Sequence, residues 1–286
     1  MKVTSEHHQN SIWRMRLGNR LRSQSGMTIV EVLIAALIAS FAIAAGMNTF
    51  VSTNKNHIIQ DGVTNMQQNG RATVDELVDR VRQAGYKVPF GVKSLYSWNA
   101  DPDTIAIVYL REPACTATVS SDMPQPSAEL KCVGSDLGCF ETNSWAYIWD
   151  PFASEGEYFY ITHVQDQAGH LQHNDANLSK SYPAGSQIYV LEFYKYYVDN
   201  TTDPLHPTFM KEANGEPAVI YADDIVDVQL SYRMANGTIS DTIGLNRFVR
   251  EVQMTIVART PKSDLFLNDF RYDSLTTSVM VRNYDL

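Results

Sequence analysis

The 286-residue sequence predicts an α+β protein in which one long N-terminal helix packs on an antiparallel β-sheet. Two observations predict the helix: an apolar run over residues 27–51, and an amphipathic helical pattern that continues it over residues 52–86. A third predicts the sheet. The globular part, residues 87–286, contains segments rich in β-branched and aromatic residues, and the short connections between the later ones favour antiparallel pairing.

The apolar run has the length and composition to cross a membrane. As a helix its residues would extend about 37 Å, which exceeds the ~30 Å thickness of the hydrocarbon layer. Glu31 lies near the start of the run, where a charge costs less than at the bilayer centre, and nine strongly apolar residues offset that cost. Residues 1–26 carry five basic side chains and one acid, so the positive-inside rule places them in the cytoplasm and everything after Val51 outside it.

The boundary between the basic leader and the apolar run differs from that of a secretory signal peptide. Gly26 precedes the apolar run, so a cut after it would leave the helix on the mature chain. The alternative is an ordinary signal-anchor helix with a tolerated acid. Loss of the leader would change the formal net charge from −9 to about −13, a charge that repels nucleic-acid backbones, and we therefore expect no nucleic-acid partner.

The segment 52–86 reads as the outer half of the same helix. Gly85 and Pro89 predict its end. Gly70 costs about 1 kcal/mol relative to alanine inside a helix, and we interpret it as a flexible point. Most charged residues, among them Glu76 and Arg80, are expected on the other faces of the helix, away from an apolar stripe. The stripe consists of Ile59, Val63, Met66, Gly70, Val74, Leu77, Val81 and Ala84.

These motifs resemble those of known families. A leader ending in Gly26, a new N-terminus at Met27, Glu31 fifth in the mature chain and an apolar helix together resemble the N-terminus of type IV pilins and type II secretion pseudopilins. The segment MQQNGRATVDELVDRVRQAGY and the later strands around ADDIVDVQLSYR, VREVQMTIVART and TTSVMVRN are similar to PilW-type minor pilins. Met27 departs from the phenylalanine usual in the family, and the leader is long, so Met15 is an alternative start.

The resemblance implies a processing pathway and a set of partners. A prepilin peptidase would cut between Gly26 and Met27, the Met27 amine would be methylated, and Glu31 would dock by pairing with the Met27 amine of an adjacent subunit. Expected partners are the major pilin, other minor pilins, the inner-membrane assembly platform, membrane lipid before assembly and, where one exists, a tip adhesin. The protein would lie in the inner membrane as a single-pass precursor and then in a periplasmic or extracellular filament.

Six segments of the globular part predict strands because they combine β-branched and aromatic residues with partial alternation. They are 104–110, 157–164, 187–198, 225–233, 248–259 and 274–282.

Residues 111–156 predict an irregular insertion in that domain, because four prolines and all three cysteines are interleaved with Ser, Asp and Gly. Outside the cytoplasm two cysteines should pair. Closing Cys132 to Cys139 or Cys115 to Cys132 would contribute about 2.5 or 3.2 kcal/mol, too similar to decide. We favour Cys132–Cys139 because the glycines between them can form a turn. Cys115 would then be a buried, inert thiol, and the alternative is a reactive thiol or one paired with another chain.

No catalytic motif occurs, so we expect a protein that is not an enzyme and needs no cofactor or metal. His163, His170 and His173 lie near Asp166 and Asp175, but this spacing on a polar hairpin is more typical of a solvated loop than of a metal site. Too few spaced oxygen ligands accompany the acidic pairs Asp101/Asp103 and Asp223/Asp224 to form a calcium site.

Three functions follow from these expectations. The first is a minor pilin that helps to initiate or cap a type IV pilus. The second is a type II secretion minor pseudopilin of the J-like class, which shares the N-terminal motif. The third is a membrane-anchored periplasmic enzyme or binding protein, which would need a catalytic or ligand site that the sequence does not reveal.

Overall fold

The computed structural model describes residues 26–89, 92–173, 178–243, 248–264 and 266–283. The predicted leader, apart from Gly26, lies outside these residues. The chain divides into two compact units, residues 1–54 and residues 55–286, and one helix, α1 (Ile29–Gln83), contributes to both. The described part of the first unit consists mainly of α1, whose side chains from Ile29 to Asn54 are exposed.

The second unit contains the outer half of α1 and a series of β-strands. In chain order the strands are β1 (Leu95–Trp98), β2 (Thr104–Leu110), β3 (Thr116–Thr118), β4 (Leu130–Lys131), β5 (Ser144–Asp150), β6 (Glu155–Gln165), β7 (His170–His173), β8 (Gln187–Tyr189), β9 (Leu191–Asp199), β10 (Thr208–Ala213), β11 (Val219–Asp223), β12 (Ile225–Met234), β13 (Ile239–Ser240), β14 (Val249–Arg259) and β15 (Tyr272–Met280).

The strands form three antiparallel sheets. Sheet A has the order β1-β2-β9-β10-β11, sheet B the order β3-β8-β5-β6-β7-β4, and sheet C the order β13-β12-β14-β15. The α+β class, with one long helix and antiparallel sheets, is therefore confirmed.

Sheet A is the middle layer of the second unit. Ile105 and Ile107 of β2 belong to the main core, together with residues of α1 and sheet C. Val108 and Leu110 of the same strand belong to a smaller cluster that includes two aromatic residues of β5 in sheet B. Strand β2 is thus covered on both faces, which explains why its sequence, TIAIVYL, is almost continuously apolar.

The outer half of α1 packs through its predicted stripe. Met66, Leu77 and Val81 are buried in the main core. The interpretation of Gly70 as a flexible point is wrong, because a Cβ at this position would lie 2.9 Å from Leu275 Cδ1 and 3.5 Å from the Ala258 Cβ. Glycine allows close approach of the helix to β14 and β15 here.

All six predicted strands are present. The segment 187–198 is divided at Val190 into β8 and β9, which belong to different sheets. The Val190 N–H donates to the Cys115 carbonyl oxygen at 3.0 Å, outside the strand ladder.

The segment 111–156 differs from the irregular insertion that we expected. It contains β3, β4 and β5 of sheet B, and this sheet has its own hydrophobic core. In β5, Ala146 and Ile148 face that core while Tyr147 and Trp149 belong to the cluster shared with sheet A. The strand itself, SWAYIWD, is a short apolar run comparable to β2, but the prolines and small polar residues around it are typical of loops.

The predicted Cys132–Cys139 disulfide is wrong, and so is the prediction of a buried Cys115 thiol. The disulfide joins Cys115 to Cys139, with a Cα–Cα distance of 5.7 Å, and Cys132 is the free, buried cysteine. The expected turn exists, since the Ser135 N–H donates to the Cys132 carbonyl at 3.0 Å. However, the Thr118 N–H donates to Ser135 Oγ at 3.1 Å, which holds this turn beside β3. Cys115 directly precedes β3, so the turn lies close to Cys115.

Under non-reducing conditions, we expect the intact mass to be lower by two hydrogens than the mass of the fully reduced chain. After unfolding, one thiol should react with an alkylating reagent. Peptide mapping should link the Cys115 peptide to the Cys139 peptide and find the alkyl group on Cys132. The disulfide closes a 24-residue separation, for which chain entropy predicts about 3.5 kcal/mol. A Cys132–Cys139 peptide, or three alkylatable thiols in protein taken from an oxidising compartment, would contradict the assignment.

Candidate membrane and assembly site

Gly26 and Met27 are the residues on either side of the predicted cut. Gly26 and Met27 are both exposed, and a Cβ added to Gly26 would meet no atom within 4 Å. Packing among the described residues therefore gives no reason for glycine at position 26.

Thr28 and Glu31 form a capping box at the start of α1. The Thr28 N–H donates to Glu31 Oε2 at 2.9 Å, and the Thr28 hydroxyl donates to the same oxygen at 3.0 Å. In return the Glu31 N–H donates to Thr28 Oγ1 at 3.3 Å. These reciprocal bonds satisfy two donors of the first helical turn. Glu31 thus has a local function within its own chain, which the sequence analysis did not anticipate.

After the capping box, α1 presents apolar side chains on all sides. The large apolar residues from Met27 to Val51 are between 47% and 81% exposed. The helix is long and apolar enough to anchor in a membrane. The apolar surface that it exposes needs a membrane or other protein chains to cover it.

A charged cluster fixes the outer half of α1 to sheet A. Glu76 Oε1 accepts hydrogen bonds from Arg80 Nε at 3.0 Å, from the Tyr196 hydroxyl at 2.6 Å and from Lys211 Nζ at 2.8 Å. The Arg80 guanidinium lies 4.2 Å from the centre of the Tyr194 ring. The three charged side chains of this Glu76 cluster are only 13% to 20% exposed.

The electrostatics of the Glu76 cluster favour its ionised form. Burial acts to raise the pKa of the Glu76 carboxyl, but the hydrogen bonds from Lys211, Tyr196 and Arg80 outweigh burial and lower this pKa to about 2. Burial also acts to lower the pKa of Arg80, and its hydrogen bond to Glu76 raises that pKa above its usual value. Both groups are therefore charged at neutral pH.

The prediction that Glu76 and Arg80 lie away from the packed face of the helix is wrong. Both side chains face sheet A beside Leu77 and Val81. One signal was available: strand β9 carries several tyrosines, whose hydroxyl groups need polar partners when buried.

Two of the three histidines of the metal hypothesis, His170 and His173, have protein partners of their own. His170 Nδ1 lies 3.0 Å from Glu129 Oε1, and His173 Nε2 lies 2.9 Å from the Ala128 carbonyl oxygen. Asp166 Oδ1 accepts from the Leu137 N–H at 3.2 Å, and Asp175 lies outside the described residues. Among the residues that the structure describes, no three His, Cys, Asp or Glu side chains are grouped as a metal site would require.

In each of the two acidic pairs of the calcium hypothesis, one carboxylate is buried and has protein partners. Asp103 is buried and accepts from the N–H groups of Ala100 and Leu230 at 3.0 and 2.7 Å. Burial raises the pKa of the Asp103 carboxyl. Asp224 is also buried, with its Oδ1 at 3.4 Å from His206 Nδ1. Each of these carboxylates therefore holds neighbouring segments together.

No protein-family model fits this chain, and no curated protein sequence matches it. The resemblance to minor pilins therefore rests on the motifs quoted from the sequence. The geometry of α1 and of the second unit supplies the physical basis for the functional proposal.

Proposed function

We propose that this protein is a minor pilin of a type IV pilus, a structural subunit that helps to initiate or cap the filament after removal of its leader. The observation that carries the proposal is an apolar helix, exposed on all sides, that begins directly after Gly26–Met27 and continues into a folded β-domain. Such a helix can reside in a lipid bilayer and afterwards be covered by the same helix of neighbouring subunits.

In this proposal, the residues at the start of α1 have separate functions. A prepilin peptidase cuts after Gly26, and its need for a small side chain accounts for a glycine that packing among the described residues does not require. The new Met27 amine is then methylated. Glu31 exchanges its local hydrogen bonds with Thr28 for the Met27 amine of an adjacent subunit, because two opposite charges in low dielectric favour pairing.

The proposal also assigns the compartment and the partners. The positive charge of residues 1–26 favours a cytoplasmic N-terminus, and the disulfide fits an oxidising space on the other side of the membrane. The partners are the prepilin peptidase, the major pilin, other minor pilins and the inner-membrane assembly platform, with a tip adhesin where one exists. The paired charges of the Glu76 cluster support a structural role for this interface rather than a catalytic one.

A J-like minor pseudopilin of a type II secretion system is the second candidate, because the Gly26, Met27 and Glu31 arrangement is common to both families. A transposon insertion in the gene distinguishes them. Loss of twitching motility with normal protein secretion supports the pilin, and the reverse result supports the pseudopilin.

Leader processing is the first test. We expect Gly26→Ala to be partly processed and Gly26→Leu not at all, since a bulky side chain would block the peptidase. Gly46→Leu is a matched control because a Cβ there also meets no atom within 4 Å, and it should be cut normally. N-terminal sequencing of the wild-type protein should begin at Met27, and an intact leader or a cut beyond Val51 would overturn the proposal.

A further inference from the structure

A groove lies on the second unit where sheet A meets sheet B. Its volume is about 460 Å³, which is within the range of ligand sites in proteins. β5 and β6 contribute to one side, and β9 with the turn after β10 contributes to the other. Cys139 also lines the groove, so the disulfide to Cys115 restrains part of its wall.

Aromatic side chains form the apolar part of this groove. Trp145 is 49% exposed, and its ring packs edge-to-face on Tyr160 with 5.3 Å between centroids. The turn at Asn214–Gly215 covers its edge, since a Cβ at Gly215 would lie 3.7 Å from the indole nitrogen. Tyr158 and Phe193 also line the groove. Trp145 is thus held in place while about half of its surface stays open.

The charge of the groove is strongly unbalanced. The Glu192 side chain is only 12% exposed, and it is held by Arg111 Nε at 3.6 Å and by the Asn214 amide at 2.8 Å. The Glu141 side chain is 73% exposed, with its Oε1 at 3.8 Å from Arg111 Nη1. Glu216 is exposed, and no ion pair involves it among the described residues. The lining carries four carboxylates and one cation, namely Glu141, Glu192, Glu212, Glu216 and Arg111. Glu212 is also paired with Lys195 Nζ at 3.4 Å, so two cations are set against the four carboxylates and the groove keeps an excess of negative charge.

We propose that this groove binds an arginine or lysine side chain presented by another protein. The cation would lie against the open part of Trp145, and the carboxylates of Glu141 and Glu216 would neutralise its charge. A cation beside an indole and close to carboxylates gains both cation–π and Coulomb attraction. The proposal does not depend on membrane anchoring or on pilus assembly, because all of these residues belong to the second unit.

Charge complementarity selects this occupant. The excess of carboxylates repels phosphate and carboxylate ligands and attracts basic segments. A neutral oligosaccharide could also stack on Trp145, but it would gain nothing from the two exposed carboxylates as charges. The two ligand classes therefore differ in their dependence on charge.

The test measures binding of a fluorescently labelled peptide, Gly-Arg-Gly-Arg-Gly-amide, to the full chain in non-ionic detergent at low salt. A peptide with citrulline at both arginine positions keeps the shape and removes the charge. We expect the arginine peptide to bind about tenfold more tightly than the citrulline peptide. Trp145→Leu should weaken its binding about fivefold or more, and Glu216→Gln about threefold.

Matched controls separate the groove from general surface effects. Trp98→Leu removes a tryptophan of similar exposure, 47%, outside the groove, and Glu155→Gln removes one exposed carboxylate outside it. Both should bind the arginine peptide within twofold of the wild type. Equal binding of the citrulline peptide, or equal losses in the control variants, would overturn the proposal. Binding of chitotetraose without binding of the arginine peptide would also overturn it and assign a carbohydrate site.

Discussion

Replacing Glu31 by valine is expected to lower the amount of this subunit in sheared filaments about tenfold or more, without changing its level in the membrane. Removing a charge makes α1 a better membrane segment, so insertion and leader cleavage should continue. Assembly should fail because the Met27 amine of the adjacent subunit would have no partner. Glu31→Asp should give an intermediate defect, and Glu31→Gln should resemble valine if charge is decisive.

The capping box supplies the control for this experiment. Thr28→Val removes the hydroxyl that bonds to Glu31 but keeps the carboxylate. If Glu31 acts between subunits, this variant should enter filaments at nearly the wild-type level. If Thr28→Val is as defective as Glu31→Val, the carboxylate acts by capping its own helix. Normal recovery of Glu31→Val would mean that the second unit and the outer helix carry assembly.

Replacing Glu76 by glutamine is expected to destabilise the second unit by about 3 kcal/mol, because it leaves Arg80 and Lys211 charged and only about one-fifth exposed. Glutamine keeps the size and helix propensity of glutamate, so the effect reports the charge. Urea unfolding of the full chain in detergent, followed by tryptophan fluorescence, measures it. Asp79→Asn is the matched control, since its pair with Arg82 on the same helix is exposed, and it should change stability by about 0.5 kcal/mol or less.

The same variant predicts a pH dependence. The pKa of Glu76 is about 2 in the folded chain, against an ordinary value of 4.5, so the folded state favours the ionised carboxyl. Its contribution is then fully present above about pH 4.5 and is lost as the pH falls towards 2. The stability difference between wild type and Glu76→Gln should be constant near neutral pH and should shrink between these values. A difference that does not change with pH would mean that the variant acts through packing alone.

The sequence predicted those features that depend on neighbouring residues. The apolar run from Met27 to Val51 and the stripe through Leu77 and Val81 each repeat a local pattern, and both lie on α1 as expected. The six predicted strands have one polar and one apolar face over most of their length, or a continuous apolar run as in β2. Such patterns can be recognised in the sequence without knowing which surface the element packs against.

The features that the sequence did not predict depend on distant residues. Gly70 is explained by Leu275, which comes from the last strand of the chain. Strand β5 was missed because the prolines and small polar residues around it predict a loop, while the surfaces that cover it belong to sheet A and to the core of sheet B. The disulfide depends on where β3 places Cys115, which spacing along the chain does not specify.

The candidate site also combines features that depend on neighbouring residues with features that depend on distant ones. The order of Gly26, Met27 and Glu31 could be seen in the sequence because all three are close together. The function of Glu76 as an acceptor for three side chains could not, because Tyr196 and Lys211 come from strands far along the chain. The groove around Trp145 likewise combines residues of two sheets.

Burial of Cys132, the cysteine outside the disulfide, protects the Cys115–Cys139 bond from thiol exchange in the folded protein. Thiol–disulfide exchange needs a thiolate, and burial raises the pKa of the Cys132 thiol to about 12, so the thiol form dominates at neutral pH. In the unfolded chain the same thiol is an ordinary attacking group. A chain that folds sheet B around Cys132 before oxidation therefore leaves Cys115 and Cys139 to pair, whereas a chain in which Cys132 is oxidised first must exchange that disulfide before the core can close.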